Sequence, residues 1–182
     1  DNDWIIRGDI GLIEDECFDQ IKKLITFIPW NNSKKAMMFE PGEPKPEYNI
    51  NKIIPEDPTM PYDVKDVIRA IVDNSDFFEI MELYAKNIVI GFGRMGGRTT
   101  GFIANQPLEM AGVLDVDSSD KAARFIRYCN AFNIPIITLV DLSGYLPGVD
   151  QEHAGVIRHG AKVLYAYSEA TVPKLTVILR KA

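Results

Sequence analysis

Residues 134–160 read IPIITLVDLSGYLPGVDQEHAGVIRHG, and this stretch decides the fold class. It opens on an unbroken apolar run, Ile134 to Val140, of strand length and rich in β-branched side chains. A run apolar on both faces predicts a strand buried on both sides of a sheet. The run breaks into Asp141-Leu142-Ser143-Gly144-Tyr145-Leu146-Pro147-Gly148, a glycine-punctuated turn. A helical pattern follows, with Val156, Ile157, Ala161, Val163 and Leu164 as the inward positions. Strand, tight turn and helix together leave backbone N–H groups at a helix N-terminus, where a developing negative charge can be received. The residues alone leave two readings open: an oxyanion- or carbonyl-binding turn, and a plain tight loop.

Outward from this stretch the pattern stays α/β. Asn87 to Arg94 and Thr99 to Asn105 read as two strands joined by Met95-Gly96-Gly97-Arg98, and a Gly-Gly pair between β-rich runs predicts a hairpin. The same stretch contains a literal G-x-G-x-x-G at Gly91, Gly93 and Gly96. A dinucleotide fingerprint needs a helix opening at the third glycine, and here a second strand follows. Asp117-Ser118-Ser119-Asp120 starts a helix that runs to about Phe132, with Arg124 and Arg127 on its solvated flank. A last strand, Leu175 to Leu179, follows Pro173. Crossovers of this kind imply largely parallel pairing.

Towards the N-terminus, Asp9 to Ile28 is expected to be helical, with Leu12, Ile13, Cys17, Ile21, Leu24, Ile25 and Ile28 at helical spacing and Pro29 as the stop. Pro41, Pro44, Pro46, Pro55, Pro58 and Pro61 then make residues 30–62 an extended strap. Asp63 reads as an N-cap for a short helix burying Val64, Val67, Ile68, Ile71 and Val72. Ser75 to Met81 reads as a helical turn or short helix with two adjacent aromatics.

Composition narrows the function classes. The chain has 182 residues, 46% apolar and 25% charged, which is ordinary globular usage. A net charge of −6 offers no basic stripe for nucleic acid. Cys17 and Cys129 sit in helical patterns without Cys-x-x-Cys or Cys/His spacing, so buried free thiols and no metal are expected. No apolar run reaches the ~18 residues of a membrane span and no basic region precedes one, so a cytoplasmic location is expected. Both ends read as cuts in a longer protein. Asp141, Ser143, His153 and His159 suggest a hydrolase, but the turn lacks the first glycine of G-x-S-x-G. The two histidines read better as locally bonded helix residues. Glu109, Asp115 and Asp117 read as turn and capping residues before a metal or acid/base set.

A longer text then stands out: Tyr84-Ala85-Lys86-Asn87-Ile88, Gly101 to Pro107, Leu114 to Phe125, Cys129 to Pro135, Gly144-Tyr145-Leu146-Pro147-Gly148, Ile157 to Lys162 and Ala170 to Lys174. On these residues the chain from about Ala85 to Ala182 resembles the carboxyltransferase β-subunit of biotin-dependent acyl-CoA carboxylases, the propionyl-CoA carboxylase type. It resembles equally the carboxyltransferase subunit of methylmalonyl-CoA decarboxylases. The resemblance implies a crotonase-like α/β fold, with residues 1–62 an inter-domain helix and strap and residues 63–182 the C-terminal carboxyltransferase domain. It implies transfer of CO₂ between biotin N1 and the α-carbon of an acyl-CoA, with enolates held by backbone N–H groups and biotin itself as the base.

On the same resemblance, Gly144 and Tyr145 are catalytic, and Gly144, Tyr145, Leu146, Pro147 and Gly148 face biotin. The implied partners are an acyl-CoA thioester, a biotinylated carrier protein, and either a biotin carboxylase subunit or membrane decarboxylase subunits of a sodium pump. Full-length subunits would form a hexamer. Two features depart from the family: Ser143-Gly144-Tyr145 replaces Pro-Gly-Phe, and the chain stops before a Gly-Gly-Ala-Tyr segment that supplies the biotin-side oxyanion hole. The isolated chain is therefore expected to be inactive. The competing reading is a non-catalytic assembly module of the ring. A hydratase-like enzyme would need an acidic pair that this sequence does not offer.

Overall fold

The computed structural model describes residues 14–57 and 59–182. Five strands form one mixed sheet, β1 (Phe78–Ile80), β2 (Ile88–Met95), β3 (Arg98–Asn105), β4 (Ile136–Val140) and β5 (Lys174–Ile178), in the same order in space as in sequence. β1 to β3 form an antiparallel meander, and β3, β4 and β5 run parallel. Gly96 and Gly97, at φ +58° and +76°, close the β2–β3 hairpin as a two-residue turn. The G-x-G-x-x-G stretch is thus hairpin and carries no helix.

Among the described residues there are six α-helices, α1 (Glu14–Phe27), α2 (Ile50–Ile53), α3 (Val64–Arg69), α4 (Val116–Ala131), α5 (Val149–Ala154) and α6 (Val156–Glu169), of which α2 and α5 bury no residue. The period-2 alternation of the strands divides the core in two. Ile88, Ile90, Phe92 and Ile103 face Phe27, α4 and the end of α6, where Phe125, Ile126, Cys129, Ala166 and Ala170 are buried. Val89, Phe102, Ala104 and Leu139 face the other way, onto Tyr62 and the α3 residues Val64, Val67 and Ile68. Both faces of β3 are therefore covered, whereas β4, expected to be buried on both sides, is buried at Ile136 and Leu139 and half-buried at Ile137, Thr138 and Val140. β5 is the edge, and each of its residues is exposed.

Caps set the helix starts. Asp63 accepts from the Lys65 N–H at 2.9 Å and opens α3. Asp115 caps α4, its carboxylate accepting from the Ser118 N–H while Ser118 Oγ accepts from the Asp115 N–H, each at 2.8 Å. The pair satisfies two otherwise orphaned donors, so α4 begins at Val116, one residue before the predicted start.

Four expectations need correction. Ser75 to Met81 is not helical beyond the short 3₁₀ turn Asp73–Ser75; Phe78–Ile80 form β1, paired with β2. Ile157 and Leu164 do not point inward and are 73% and 70% exposed. The buried stripe of α6 is Val156, Gly160 and Ala166, and Gly160 leaves room for the Tyr145 ring. Leu24 and Phe27 of α1, and Ile28 just after it, reach the core, whereas Ile21 and Ile25 are exposed. Cys17 is only half-buried, while Cys129 is buried and its thiol is pushed up by desolvation; both are free. The Asp9 start of the first helix, with Leu12 and Ile13, and Pro58 of the strap lie outside the described residues.

Candidate functional site

The turn Leu142–Gly148 leaves the C-terminal end of β4, on the side where parallel α/β sheets place their ligands. Two hydrogen bonds fix its middle: the Leu114 N–H donates to the Gly144 carbonyl at 3.1 Å, and the Leu146 N–H donates to the Leu114 carbonyl at 2.7 Å. These bonds form a parallel bridge between Leu114 and Tyr145. Alternation along an extended chain then turns the Tyr145 N–H away from Leu114. Gly144 and Gly148 hold φ at +134° and +139°, a region that side-chain-bearing residues rarely enter. A Cβ added at either would meet nothing within 4 Å, so the outer face of the turn is open.

Tyr145 is 41% exposed. Its ring leans on α6 at Gly160, where an added Cβ would sit 2.7 Å from the hydroxyl oxygen and 2.8 Å from Cζ. Gly160→Ala is therefore expected to swing the Tyr145 ring. The thermal midpoint should stay within about 3 °C, because alanine is the better helix former by ~1 kcal/mol. The ¹H–¹³C resonances of the Tyr145 ring should shift. Unmoved resonances with a lower midpoint would show that α6, not Tyr145, gives way.

The helical pattern after the turn is broken. Gly148 caps α5 without a side-chain bond, and Gly155 at φ +85° ends α5 in the left-handed conformation before α6 begins. α5 is six residues long and carries Asp150 and Glu152 in its first turn. These carboxylates suit the positive end of the helix dipole and oppose an anionic ligand there. The helix behind the turn is therefore poorly suited to receive an anion.

The hydrolase arrangement does not assemble. Ser143 is exposed, and no hydrogen bond among the described residues joins it to a histidine. His153 is exposed on α5. His159 is bonded both across helices and locally: its Nδ1 lies 2.9 Å from Asp120 on α4 and 3.0 Å from Nζ of Lys162, one turn on in α6. Burial raises the Asp120 carboxyl, but hydrogen bonds from Lys162 and His159 outweigh it and leave a net lowering. Asp115 is a cap, Asp117 accepts from the Tyr84 hydroxyl at 3.0 Å, and Glu109 precedes the 3₁₀ turn Met110–Gly112. Among the described residues no group of three or more His, Cys, Asp or Glu is placed to hold a metal ion.

Two buried polar centres escaped the sequence reading. Lys121, 1% exposed, donates to the carbonyls of Met81, Tyr84, Ala85 and Ile88 at 2.7–3.3 Å. Its signal was a charge one turn before Phe125 on the apolar face of α4. Asp141, 2% exposed at the root of the turn, accepts from the Tyr62 hydroxyl and from Arg180 Nε, each at 2.8 Å. A cavity of about 70 Å³ beside it, lined by Thr59, Pro61, Pro107, Ala111, Arg180 and Lys181, has room for a few waters but not for a cofactor.

Residues 11–182 match the carboxyl transferase domain family. The chain is 53% identical over 171 residues to the methylmalonyl-CoA decarboxylase subunit alpha of Veillonella parvula, covering 93% of this chain and 34% of that one. It is 52% identical over 169 residues to the propionyl-CoA carboxylase beta chain of Roseobacter denitrificans, covering 92% and 33%. Among solved structures it is similar to the transcarboxylase 12S hexamer with methylmalonyl-coenzyme A and methylmalonic acid bound, with TM-score 0.87 and 51% identity over 92% of this chain and 33% of that one. It spans about a third of the length of these relatives. The sheet, the turn and the covering helices have the crotonase-like α/β arrangement that the motifs implied, and among the described residues no helix is long and apolar enough to cross a membrane. A domain matched from residue 11 to the last residue, with relatives about half identical, places the chain in the carboxyl transferase domain family.

Proposed function

We propose that the chain forms the biotin side of a carboxyltransferase site that moves CO₂ between carboxybiotin and the α-carbon of propionyl-CoA or methylmalonyl-CoA. The observation that carries this reading is the match to transcarboxylase 12S, whose structure holds methylmalonyl-coenzyme A. The names of the relatives share one chemistry, a carboxyl group gained or lost at the α-carbon of propionyl-CoA. A biotinylated carrier, when docked, supplies the ureido nitrogen that carries the carboxyl group.

The residues of the turn fit a flat, polar group. Its outer face is open at Gly144 and Gly148. The Tyr145 N–H is the donor we assign to a developing oxyanion, since no acceptor among the described residues takes it. Pro147 and Gly148 are exposed and Leu146 half-buried, so they form one wall of the opening. Tyr145 adds a hydroxyl beside that wall. In this reading the site is completed by an acyl-CoA-binding domain, residues 1–62 link the two, and the assembly is a cytoplasmic hexamer served by carboxylase or decarboxylase partners. The chain alone then lacks half of the donors and is inactive on methylmalonyl-CoA with free biotin.

The test exploits the one-third coverage. Residues 12–182 replace the matching third of the Propionibacterium freudenreichii subsp. shermanii 12S subunit, to which the chain is 50% identical over 181 residues. Carboxyl transfer from methylmalonyl-CoA to a biotinylated carrier should stay within about tenfold of the parent, or ~1.4 kcal/mol of barrier. A hexamer that assembles but transfers nothing would overturn the catalytic reading in favour of an assembly module.

A further inference from the structure

We infer that Tyr62, Asp141 and Arg180 are positioning residues that couple the strap of residues 57–62 to the orientation of the candidate turn. The inference rests on the carboxyltransferase reading only for what the turn binds.

Three chain segments distant in sequence meet at one carboxylate. Asp141 stands immediately before Leu142–Gly148, and both the Tyr62 hydroxyl and Arg180 Nε donate to the same oxygen, Oδ2. Arg180 reaches on into the strap, where Nη1 donates to the Met60 carbonyl at 2.8 Å and the Asp57 carbonyl at 3.4 Å. Its guanidinium also lies 4.7 Å from the centroid of the Tyr62 ring. The backbone is tied in the same place. The Asp141 N–H donates to Asn105 Oδ1 at 3.3 Å, and the Leu142 N–H donates to the Lys181 carbonyl at 3.2 Å. Gly112 packs so closely on the Asp141 carbonyl that a Cβ there would lie 2.6 Å from its oxygen.

Stability alone does not ask for this arrangement. A buried ion pair is often matched or bettered by apolar side chains of the same volume, whereas a guanidinium that divides its donors between a carboxylate and the strap carbonyls holds one geometry. Here the geometry held is the exit direction of the chain from β4. The next seven residues make up the turn, whose own anchor is the bridge to Leu114. With one end fixed by Asp141 and the middle by Leu114, movement of the strap is transmitted to the turn through Tyr62 and Arg180. None of the three side chains belongs to the open face, so they act through backbone position. Misplacement of a reacting group by about 1 Å can lower a rate a hundredfold.

Two conservative variants test this. Tyr62→Phe keeps the ring under Arg180 and removes one hydrogen bond; Arg180→Lys keeps the charge and removes the fork. In the 182-residue chain, amide hydrogen exchange at Leu142 and Leu146, whose N–H groups are bonded to Lys181 and Leu114, should quicken about tenfold in both, while the amides of α4 stay at the wild-type rate. In the 12S chimera, KM for free biotin should rise about tenfold, with KM for methylmalonyl-CoA within twofold. Exchange that quickens equally in α4, or a turn that does not respond, overturns the coupling and leaves a plain structural cluster. An equal rise of both KM values also overturns it. Inactivity of the unmutated chimera would instead sink the carboxyltransferase reading, and the exchange result would still decide the coupling.

Discussion

Replacing Lys121 with methionine is expected to destabilise the chain by about 3 kcal/mol or more. The ammonium is 1% exposed and serves the carbonyls of Met81, Tyr84, Ala85 and Ile88. An ammonium has three donors, so the four contacts include a shared one. They hold the connection from β1 to β2 in a tight path with Met81 and Ala85 at positive φ. Methionine has nearly the same reach but no donor; the Met81 and Ala85 carbonyls would keep the N–H groups of Tyr84 and Ile88, while the Tyr84 and Ile88 carbonyls would lose the donor that Lys121 supplies. Burial pulls the Lys121 pKa down from 10.5 to about 8, against the opposing field of Glu79 and Glu82. Between those values the unfolded chain holds a proton that the folded chain releases. The unfolded state binds more protons there, so wild-type stability rises with pH across the window. Urea midpoints for the two proteins should therefore differ strongly at pH 7 and diverge further towards pH 10. A loss under about 1 kcal/mol at pH 7 would show that the Tyr84 and Ile88 carbonyls find other partners.

The contrast between what could and could not be read from the residues follows the range of the interactions. The β2–β3 hairpin was legible because Gly96-Gly97 and two alternating runs encode it within eighteen positions. The start of α4 was legible to within one residue from its acidic and seryl cluster, although the pairing of Asp115 with Ser118 was not read. The turn at Gly144–Gly148 was legible as special backbone, since glycine answers to φ locally. β1 was missed because three residues are too few to display a period, and its strand character comes from pairing with Ile90, Gly91 and Phe92. The faces of α6 were misassigned because Ile157 and Leu164 form an apolar stripe as plausible as the Val156–Gly160 one; burial by α4 decides between them. Tyr62 and Asp141 lie 79 positions apart, and Arg180 and Asp141 39 apart, so no local pattern announces that they meet.

That meeting point supplies the second large effect. Asp141→Ala is expected to lower stability by about 3–5 kcal/mol, because it strands the Arg180 charge with 12% of its side chain exposed and leaves the Tyr62 hydroxyl without its acceptor. Desolvation, reinforced by the neighbouring carboxylate, already holds the Tyr62 hydroxyl well above its ordinary pKa. The size of the loss should depend on what remains. Arg180→Met removes the charge that needs the carboxylate, so Asp141→Ala made in an Arg180→Met background should cost much less than in the wild type. A double-mutant cycle read by urea unfolding should return a coupling of about 1–3 kcal/mol. If the two substitutions are additive, Asp141 is held by its backbone bonds to Asn105 and its packing on Gly112, and the ion pair is incidental. If they couple, the carboxylate at the foot of the turn is what keeps strap, β4 and the segment after β5 in register. The stability of the candidate site then depends on a residue that never faces its ligand.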